Sequence, residues 1–273
     1  MSAMRARRAV AVCLTSGLLA VAAACTVSEE DERAYGEYEA AQVDSLLPLV
    51  DDTVITRFVT ELGRSLTATT SRADLDWRFT VVNTSEVNAF ALPGGFVYVN
   101  RGLIETVDGL DQLAGVMGHE IGHVALRHSV QQLEKEAQRD VALVLLCTLT
   151  RACDTMGRVV ALQVGADALT AQYSQHDEAE ADSLAVVITS RAGIDPEGIW
   201  AFFEKLLSQR TEQPTPIDAF FATHPTDQAR ITAVRRQIAA VGQLPAGLLR
   251  DTPEFHAIQA RLRAMPAPPQ TTE

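Results

Sequence analysis

The chain has 273 residues, of which 47% are apolar, and a formal net charge of −12 at pH 7. This is enough apolar sequence for one sizeable core, which excludes disorder of the whole chain. The acidic balance argues against nucleic acid as a partner, because a protein that binds a phosphate backbone needs basic side chains.

The first 24 residues are typical of an export signal that is removed from the mature protein. A basic start precedes the apolar run "AVAVCLTSGLLAVAAA", which is shorter than the roughly 20 residues that a membrane-spanning helix needs. The segment "AAAC" at 22–25 resembles a bacterial lipobox, which predicts lipidation of Cys25 and a membrane-anchored lipoprotein of the cell envelope. A plain secretory signal, which would leave a periplasmic protein, and a retained signal anchor are the alternatives.

Removal of this signal takes away three arginines and no acidic residue, which moves the formal charge from −12 to about −15. An acidic protein is not attracted to anionic lipid by charge, so membrane attachment would come from the lipid. Residues 25–34 are predicted to be an acidic tether and 35–265 to be one domain. The tail "PAPPQTTE" at 266–273 is predicted to be disordered.

The first half of the domain is predicted to contain helices followed by a small sheet. Apolar residues at helical spacing indicate helices in "AYGEYEAAQVDSLLPLV" and "DDTVITRFVTELGRSLTATT", the second capped by Asp51 or Asp52. Between Trp77 and Val99, β-prone runs alternate with Asn, Pro and Gly, which favours short strands. The predicted fold class is therefore mainly α with a small β-sheet (α+β).

A long helical stretch is predicted to begin near Asp108 and to continue through residue 150. Its last part, "VALVLLCTLT", is too short to cross a bilayer and is interpreted as one arm of a buried helical hairpin, with a membrane-dipping segment as the alternative. Cys147 and Cys153 are predicted to form a disulfide that closes this hairpin, and two unpaired buried thiols are the alternative.

Further helices are predicted from Gln172 to Arg191, over "IDPEGIWAFFEKLLSQR", and from near Pro225 and Pro253.

The stretch "GVMGHEIGHVALRH" at 115–128 has the spacing of a zinc site. His119 and His123 lie slightly more than one helical turn apart, so both rings project from one face and can bind one ion. Glu120 is rotated by about 100° from His119, which suits a general base that reaches a water better than a third ligand. The alternative is a solvated polar helix face. Three glycines in these turns predict that another element approaches the backbone closely.

A catalytic zinc needs a third protein ligand. Leu126 and Ser129 stand where a metzincin has Gly and His, and the range 141–152 lacks the acid that a thermolysin-like enzyme needs. In "YSQHDEAEADSLA", Glu178 and Asp182 lie four residues apart on one helical face. Spacing alone leaves open which carboxylate binds the metal and which accepts a hydrogen bond from a ligand histidine.

Four segments together resemble the family-48 zinc metallopeptidases, a group that contains HtpX-like proteases, CAAX prenyl proteases and soluble periplasmic relatives. They are "VNAFALPGGFVYVNRGLI" at 87–104, "GHEIGHVALRH" at 118–128, "EAEAD" at 178–182 and "THPTDQARI" at 223–231. The resemblance spans about residues 50–240. It implies a zincin-type metalloprotease domain with the HExxH motif on its active-site helix and one Zn²⁺ per chain.

The resemblance implies that His119, His123 and Glu178 bind zinc, that Glu120 is the catalytic base and that Asp182 supports a ligand histidine. It further implies one of two roles for the histidine of the His-Pro motif.

This residue, His224, would either stabilise the oxyanion or occupy the open zinc position and hold the enzyme shut; a plain helix-entry histidine is the alternative. Arg230 would brace the helix that follows. The strand that borders the cleft would pair with an extended substrate, as edge strands do. Its residues are Asn88, Ala89, Phe90 and Ala91.

Two other positions bear on the resemblance. Gln175 stands where the family usually has Arg, which removes no ligand. His128 also matches the family, but on a continuous helix it would lie about 140° around from His123, so it is predicted to be structural.

The implied function is that of a zinc metalloendopeptidase of the bacterial cell envelope. It would hydrolyse peptide bonds in unfolded or misassembled polypeptides through a zinc-bound water, with Glu120 as general base. A non-proteolytic chaperone or assembly lipoprotein that uses the same cleft is the alternative. A purely structural zinc protein is disfavoured because three ligands leave one coordination position open.

Overall fold

The computed structural model of the chain describes residues 26–138, 173–211 and 213–269. The predicted signal with Cys25, the apolar run at 141–150 and the pair Cys147 and Cys153 lie outside the described residues. No helix within the described residues combines the length and the hydropathy that a membrane crossing requires.

The described residues are mainly helical and include one small sheet, which confirms the predicted fold class. In chain order the elements are α1 (Glu29–Leu46), α2 (Thr53–Thr67), β1 (Arg78–Val82), β2 (Ala89–Leu92), β3 (Phe96–Asn100), α3 (Arg101–Thr106), α4 (Leu110–Ala125), α5 (Gln175–Arg191), α6 (Glu197–Gln209), α7 (Asp218–Thr223), α8 (Gln228–Val241) and α9 (Pro253–Arg263).

Helix starts follow the capping residues that the sequence provides. The Asp52 carboxylate accepts hydrogen bonds from the first backbone N–H groups of α2, and Pro253 begins α9 directly after its cap. Helix α5 begins with a capping box between Ser174 and Asp177, three residues after the predicted start at Gln172.

The sheet has three strands in the order β1-β3-β2. Central β3 is buried along its whole length, pairs in parallel with β1 and pairs antiparallel with β2. The N–H of Asn100 donates to the carbonyl of Asn88, so Phe90 opposite Tyr98 is the next hydrogen-bonded pair of this ladder. The backbone N–H and C=O groups of Ala89 and Ala91, the intervening residues, therefore point to the outer edge of β2.

The predicted long helix from Asp108 is interrupted. Helix α4 ends at Ala125, Arg127 adopts the left-handed region at φ 59°, and residues 128–138 are helical again. A non-glycine residue at positive φ is uncommon and needs outside support. The Arg127 side chain has that support, because its Nε donates to Glu32 Oε2 at 2.7 Å and its Nη2 donates to the carbonyl of Val27 at 2.8 Å.

The segment predicted as an acidic tether is helical from Glu29 onward. Its acidic residues lie in the first turn of α1, where negative charge interacts favourably with the helix dipole. Among them, Glu32 is only 1% exposed, and its carboxylate accepts hydrogen bonds from both Arg72 and Arg127, which offset the cost of burying its charge. Ion pairing thus fixes part of the predicted tether to the domain.

Helix α4 is the centre of the molecule and contacts α5, α6, α2 and the sheet. Its glycines make this packing possible: a Cβ at Gly115 would lie 3.1 Å from the backbone of Ile199 on α6, and a Cβ at Gly122 would lie 3.1 Å from the carbonyl oxygen of Ala181 on α5. The close approach predicted from these glycines is confirmed.

The backbones of α4 and α6 approach most closely at Gly198 on α6, where an added Cβ would lie 2.3 Å from the carbonyl carbon of Asp111 on α4. We predict that Gly198→Ala lowers the free energy of unfolding by about 2–3 kcal/mol, because the backbones must separate. Gly118→Ala is the control, since its Cβ would make ordinary contacts of 3.4 Å or more. That change should be neutral or stabilising by up to about 1 kcal/mol. Urea unfolding measures both, and equal losses would contradict the packing described here.

Candidate active site

The two histidines of the motif lie on one face of α4 and converge. Both His119 and His123 are at most 2% exposed, and their Nε2 atoms are 3.0 Å apart. Their rings meet nearly at right angles, at an interplanar angle of 82°. The helical spacing therefore places both Nε2 atoms where they can bind the same ion.

Helix α5 brings Glu178 and Asp182 to these histidines in different ways. Glu178 Oε1 lies 3.4 Å from His123 Nε2, and its Oε2 lies 3.5 Å from His119 Nε2. Asp182 Oδ1 lies instead 2.9 Å from His119 Nδ1, on the opposite side of the ring. The two carboxylates therefore occupy different positions: Glu178 faces the converging nitrogens, whereas Asp182 lies behind His119.

A third histidine completes the cluster. His224, directly after α7, is 2% exposed and places Nδ1 3.3 Å from His119 Nε2 and 3.1 Å from Glu178 Oε1. Its other nitrogen, Nε2, lies 3.2 Å from Glu120 Oε1. His224 therefore touches both the candidate metal ligands and the candidate base.

These side chains fit a zinc ion. One ligand atom from each of His119, His123, Glu178 and His224 lies within 4.8 Å of all the others. In a tetrahedral zinc site with bonds of about 2.0–2.1 Å, neighbouring ligand atoms are about 3.4 Å apart, close to the separations seen here. In addition, Glu120 Oε1 and Glu178 Oε2 are buried and have no partner in hydrogen-bond geometry, and a bound cation would stabilise such oxygens.

The buried carboxylates and imidazoles of the cluster shift one another's pKa. Burial lowers the pKa of His224, but the carboxylates of Glu120 and Glu178 outweigh it and raise that pKa to about 10. Burial raises the pKa of Glu178, whereas the charge of His119 and hydrogen bonds from His123 and His224 hold it well below its usual range. Burial lowers the pKa of His123 to about 4. Positive charge is therefore favoured at His224, between the carboxylates of Glu120 and Glu178, where a metal ion would be favoured as well.

Arg230 on α8 braces the carboxylates from outside. Its Nε and Nη2 donate to the two oxygens of Asp182, each at 2.8 Å, and its Nη1 lies 2.6 Å from Glu178 Oε2 without hydrogen-bond geometry. Burial raises the pKa of Asp182, but the guanidinium outweighs burial and lowers that pKa to about 2. Asp182 is thus held as a carboxylate that can accept the Nδ1–H of His119.

Two neighbours of His123 were not predicted from the sequence to contact it: Tyr173 was given no role, and His128 was predicted to be structural. The ring of Tyr173 stacks on His123 with centroids 3.9 Å apart, and His128 Nδ1 lies 2.9 Å from His123 Nδ1. The sequence contained only two signals of these contacts: Tyr173 and Ser174 form a "YS" pair directly before α5, and His128 matches the family. The expected 140° offset does not apply to His128, because the helix breaks at Arg127.

The predicted substrate strand lies beside the motif helix, since β2 and α4 are in contact. Ala89 is buried, while Phe90 and Ala91 are partly exposed, and β2 is an edge strand of the sheet. Asn88 is buried at the start of β2, with its amide oxygen 3.5 Å from the hydroxyl of Thr223 on α7. The strand and the element that carries His224 are therefore connected.

Comparison with known proteins finds a metallopeptidase family and several proteases among the relatives. Residues 54–238 match peptidase family M48. The chain is 29% identical over 257 residues to the beta-barrel assembly-enhancing protease of Escherichia coli (strain K12), which covers 90% of this chain and 51% of that protein. It is 28% identical over 235 residues to metalloprotease YcaL of the same strain, covering 83% of this chain and 87% of YcaL.

A eukaryotic relative matches as well. Over 203 residues the chain is 29% identical to the mitochondrial metalloendopeptidase OMA1 of Schizosaccharomyces pombe, covering 74% of this chain and 58% of that protein. The chain spans about half the length of the assembly-enhancing proteases that it matches.

We predict that Arg230→Met lowers the free energy of unfolding of the metal-free chain by about 3 kcal/mol, because Asp182 loses its buried ion pair. Arg235→Met is a matched control on the same helix: its ion pair with Glu204 is exposed, and both arginines lie over an aromatic ring. The control should lose less than about 1 kcal/mol. Urea unfolding with a chelator present measures the difference, and equal losses would contradict the bracing role.

Proposed function

Because the chain belongs to peptidase family M48, as its four sequence segments predicted, we propose that it is a zinc-dependent endopeptidase. The observation that carries the proposal is the buried cluster in which His119, His123, Glu178 and His224 converge beside Glu120. A carboxylate that is buried next to a set of metal ligands, without a hydrogen-bond partner for one oxygen, suits a general base.

The residues divide the chemistry among them. Zinc, when bound, lowers the pKa of water and polarises a carbonyl. His119, His123 and Glu178 hold the ion, and Asp182 orients His119 through its Nδ1–H. Glu120 accepts one proton of the attacking water at a carboxylate oxygen, and the remaining hydroxide adds to the scissile carbonyl carbon. Glu120 then delivers the proton to the leaving nitrogen as the C–N bond breaks, which gives a carboxylic acid and an amine.

His224 is assigned the role of a cap in this conformation. Its Nδ1 occupies the fourth position among the candidate ligand atoms, and its Nε2 contacts Glu120. A catalytic zinc needs that fourth position for water or substrate. Cleavage therefore requires His224 to withdraw from that position.

Substrates are proposed to bind as an added strand on β2. The N–H and C=O groups of Ala89 and Ala91 that point away from β3 lie at the outer edge of the sheet beside α4, and among the described residues no strand pairs with that edge. Binding through backbone groups selects extended or unfolded polypeptides over one side-chain sequence.

The proposed setting is the bacterial cell envelope, with unfolded or misassembled envelope proteins as substrates. The predicted export signal supports this location, and a relative is named for enhancing beta-barrel assembly. Lipidation at Cys25 would anchor the domain to the membrane, facing the periplasm; without lipidation the protein would be periplasmic.

A chaperone or assembly factor that binds polypeptide without cleaving it is the second candidate function. The open edge of β2 would serve it equally well. Glu120 favours hydrolysis, since a binding module has no use for a buried carboxylate beside a metal.

Glu120→Gln distinguishes these two functions. We predict that this variant retains one zinc per chain while its cleavage of casein falls by at least about 10²-fold, because the base is lost. Glu61→Gln, an exposed position on α2, is the control and should cleave like the wild type. A Glu120→Gln protein as active as the wild type would exclude the proposed mechanism.

His224→Ala tests the cap. We predict a severalfold rise in casein cleavage at unchanged zinc content, because removal of the imidazole opens the fourth position. A fall of about tenfold or more would instead assign His224 to oxyanion stabilisation and would contradict the cap.

Ala91→Pro tests binding at the edge. It removes an outward N–H without touching the ladder to β3, so we predict that kcat/KM for an extended peptide falls about tenfold, the value of one backbone hydrogen bond. Ala91→Val retains the N–H and should be close to wild type. Equal kcat/KM for the two variants would contradict strand addition.

A further inference from the structure

The two ligand histidines differ in what their second ring nitrogen contacts. His119 Nδ1 meets a carboxylate, Asp182 Oδ1, at 2.9 Å, the usual arrangement for a metal-binding histidine. His123 Nδ1 meets another imidazole nitrogen, His128 Nδ1, also at 2.9 Å. The histidine that sequence analysis set aside as structural is therefore the partner of a candidate zinc ligand.

The arrangement of protons in this pair follows from the chemistry of imidazole. A neutral ring has one N–H and one lone pair. If His123 Nε2 binds zinc, its Nδ1 must carry the proton and donate it. His128 Nδ1 must then accept, which leaves the N–H of His128 on Nε2.

The surroundings of His128 suit that tautomer. The residue is 2% exposed, and its Nε2 is buried without a hydrogen-bond partner. Glu180 Oε2 lies 3.4 Å from this nitrogen, and a carboxylate oxygen of Asp177 lies within 4.8 Å of a ring nitrogen of His128. The two carboxylates therefore favour a proton on Nε2 of His128, which leaves the lone pair on Nδ1, facing His123.

The break in the helix brings His128 back to His123. Arg127 in the left-handed region turns the chain, and Glu32 and Val27 from the N-terminal segment hold its guanidinium. Arg72 connects the same parts, since its Nη1 donates both to Glu32 Oε1 and to the carbonyl of Val124 at the end of α4. The start of the described chain is therefore connected through this turn to a candidate ligand.

We propose that His128 is a positioning residue that accepts the Nδ1–H of His123 and so fixes the tautomer and ring orientation that zinc binding requires. The left-handed turn at Arg127 places it there. This inference rests on the proposed function, in which His123 is a zinc ligand.

Zinc affinity, measured by competition with a chromogenic chelator, tests the proposal without relying on activity. His128→Leu should weaken zinc binding by about 10–100-fold, the usual cost of losing such a partner. His128→Asn should stay close to wild type, because its amide oxygen can accept a hydrogen bond near the position of Nδ1. Asp52→Ala, which removes the cap of the remote helix α2, controls for lost stability and should bind zinc like the wild type.

Equal affinities of His128→Leu and wild type, or equal losses in the Leu and Asn variants, would overturn the proposal. A wild-type chain that binds two zinc ions, of which His128→Leu loses one, would overturn it by making His128 a ligand with Asp177 and Glu180. A wild-type chain that binds no zinc would contradict the proposed function as well, so the two failures are distinguishable.

The turn is tested by two changes that both remove the ion pair of Arg127. Arg127→Gly accepts positive φ at no steric cost, whereas Arg127→Val is strained there. The glycine variant should bind zinc close to wild type, and the valine variant should lose affinity as His128→Leu does. Equal affinities of these two variants would overturn the role of the turn.

Discussion

The close packing of α4 on α5 is the contact on which the rest of the site depends. A bare backbone at Gly122 lets Ala181 approach, and this contact places Glu178 within 3.5 Å of both histidine Nε2 atoms. Several ionisable groups are then buried in one small volume, which is costly unless charges compensate. The guanidinium of Arg230 lies against the carboxylates of both Glu178 and Asp182, and a zinc ion is proposed to compensate the remaining negative charge.

The fold class and the parts of the site that depend on local spacing could be predicted from the sequence. Helical periodicity placed His119 and His123 on one face, but it could not rank Glu178 against Asp182, because both share a face of α5. The difference arises from the packing of α5 on α4, which gives Glu178 the Nε2 atoms of both histidines as neighbours and gives Asp182 the Nδ1 atom of His119. Local patterns carry no information about such contacts.

The largest departure from the sequence-based expectation has the same physical origin. Nothing in the helical pattern around Arg127 indicates a break, and a continuous helix would have separated His128 from His123. The turn is stabilised by an ion pair between Arg127 and Glu32, 95 residues apart, in a segment expected to be a tether. That pair couples the N-terminal helix α1 to the turn that follows the helix carrying His119 and His123, so support for the site extends well beyond the motif.

Zinc-edge anomalous diffraction from crystals of the protein, purified without chelator, tests the central claim most directly. The account predicts one anomalous peak, bounded by the Nε2 atoms of His119 and His123, a carboxylate oxygen of Glu178 and, in the resting chain, Nδ1 of His224. A peak elsewhere, or the absence of any peak at full zinc loading, would contradict the assignment of these residues as the metal site of a peptidase.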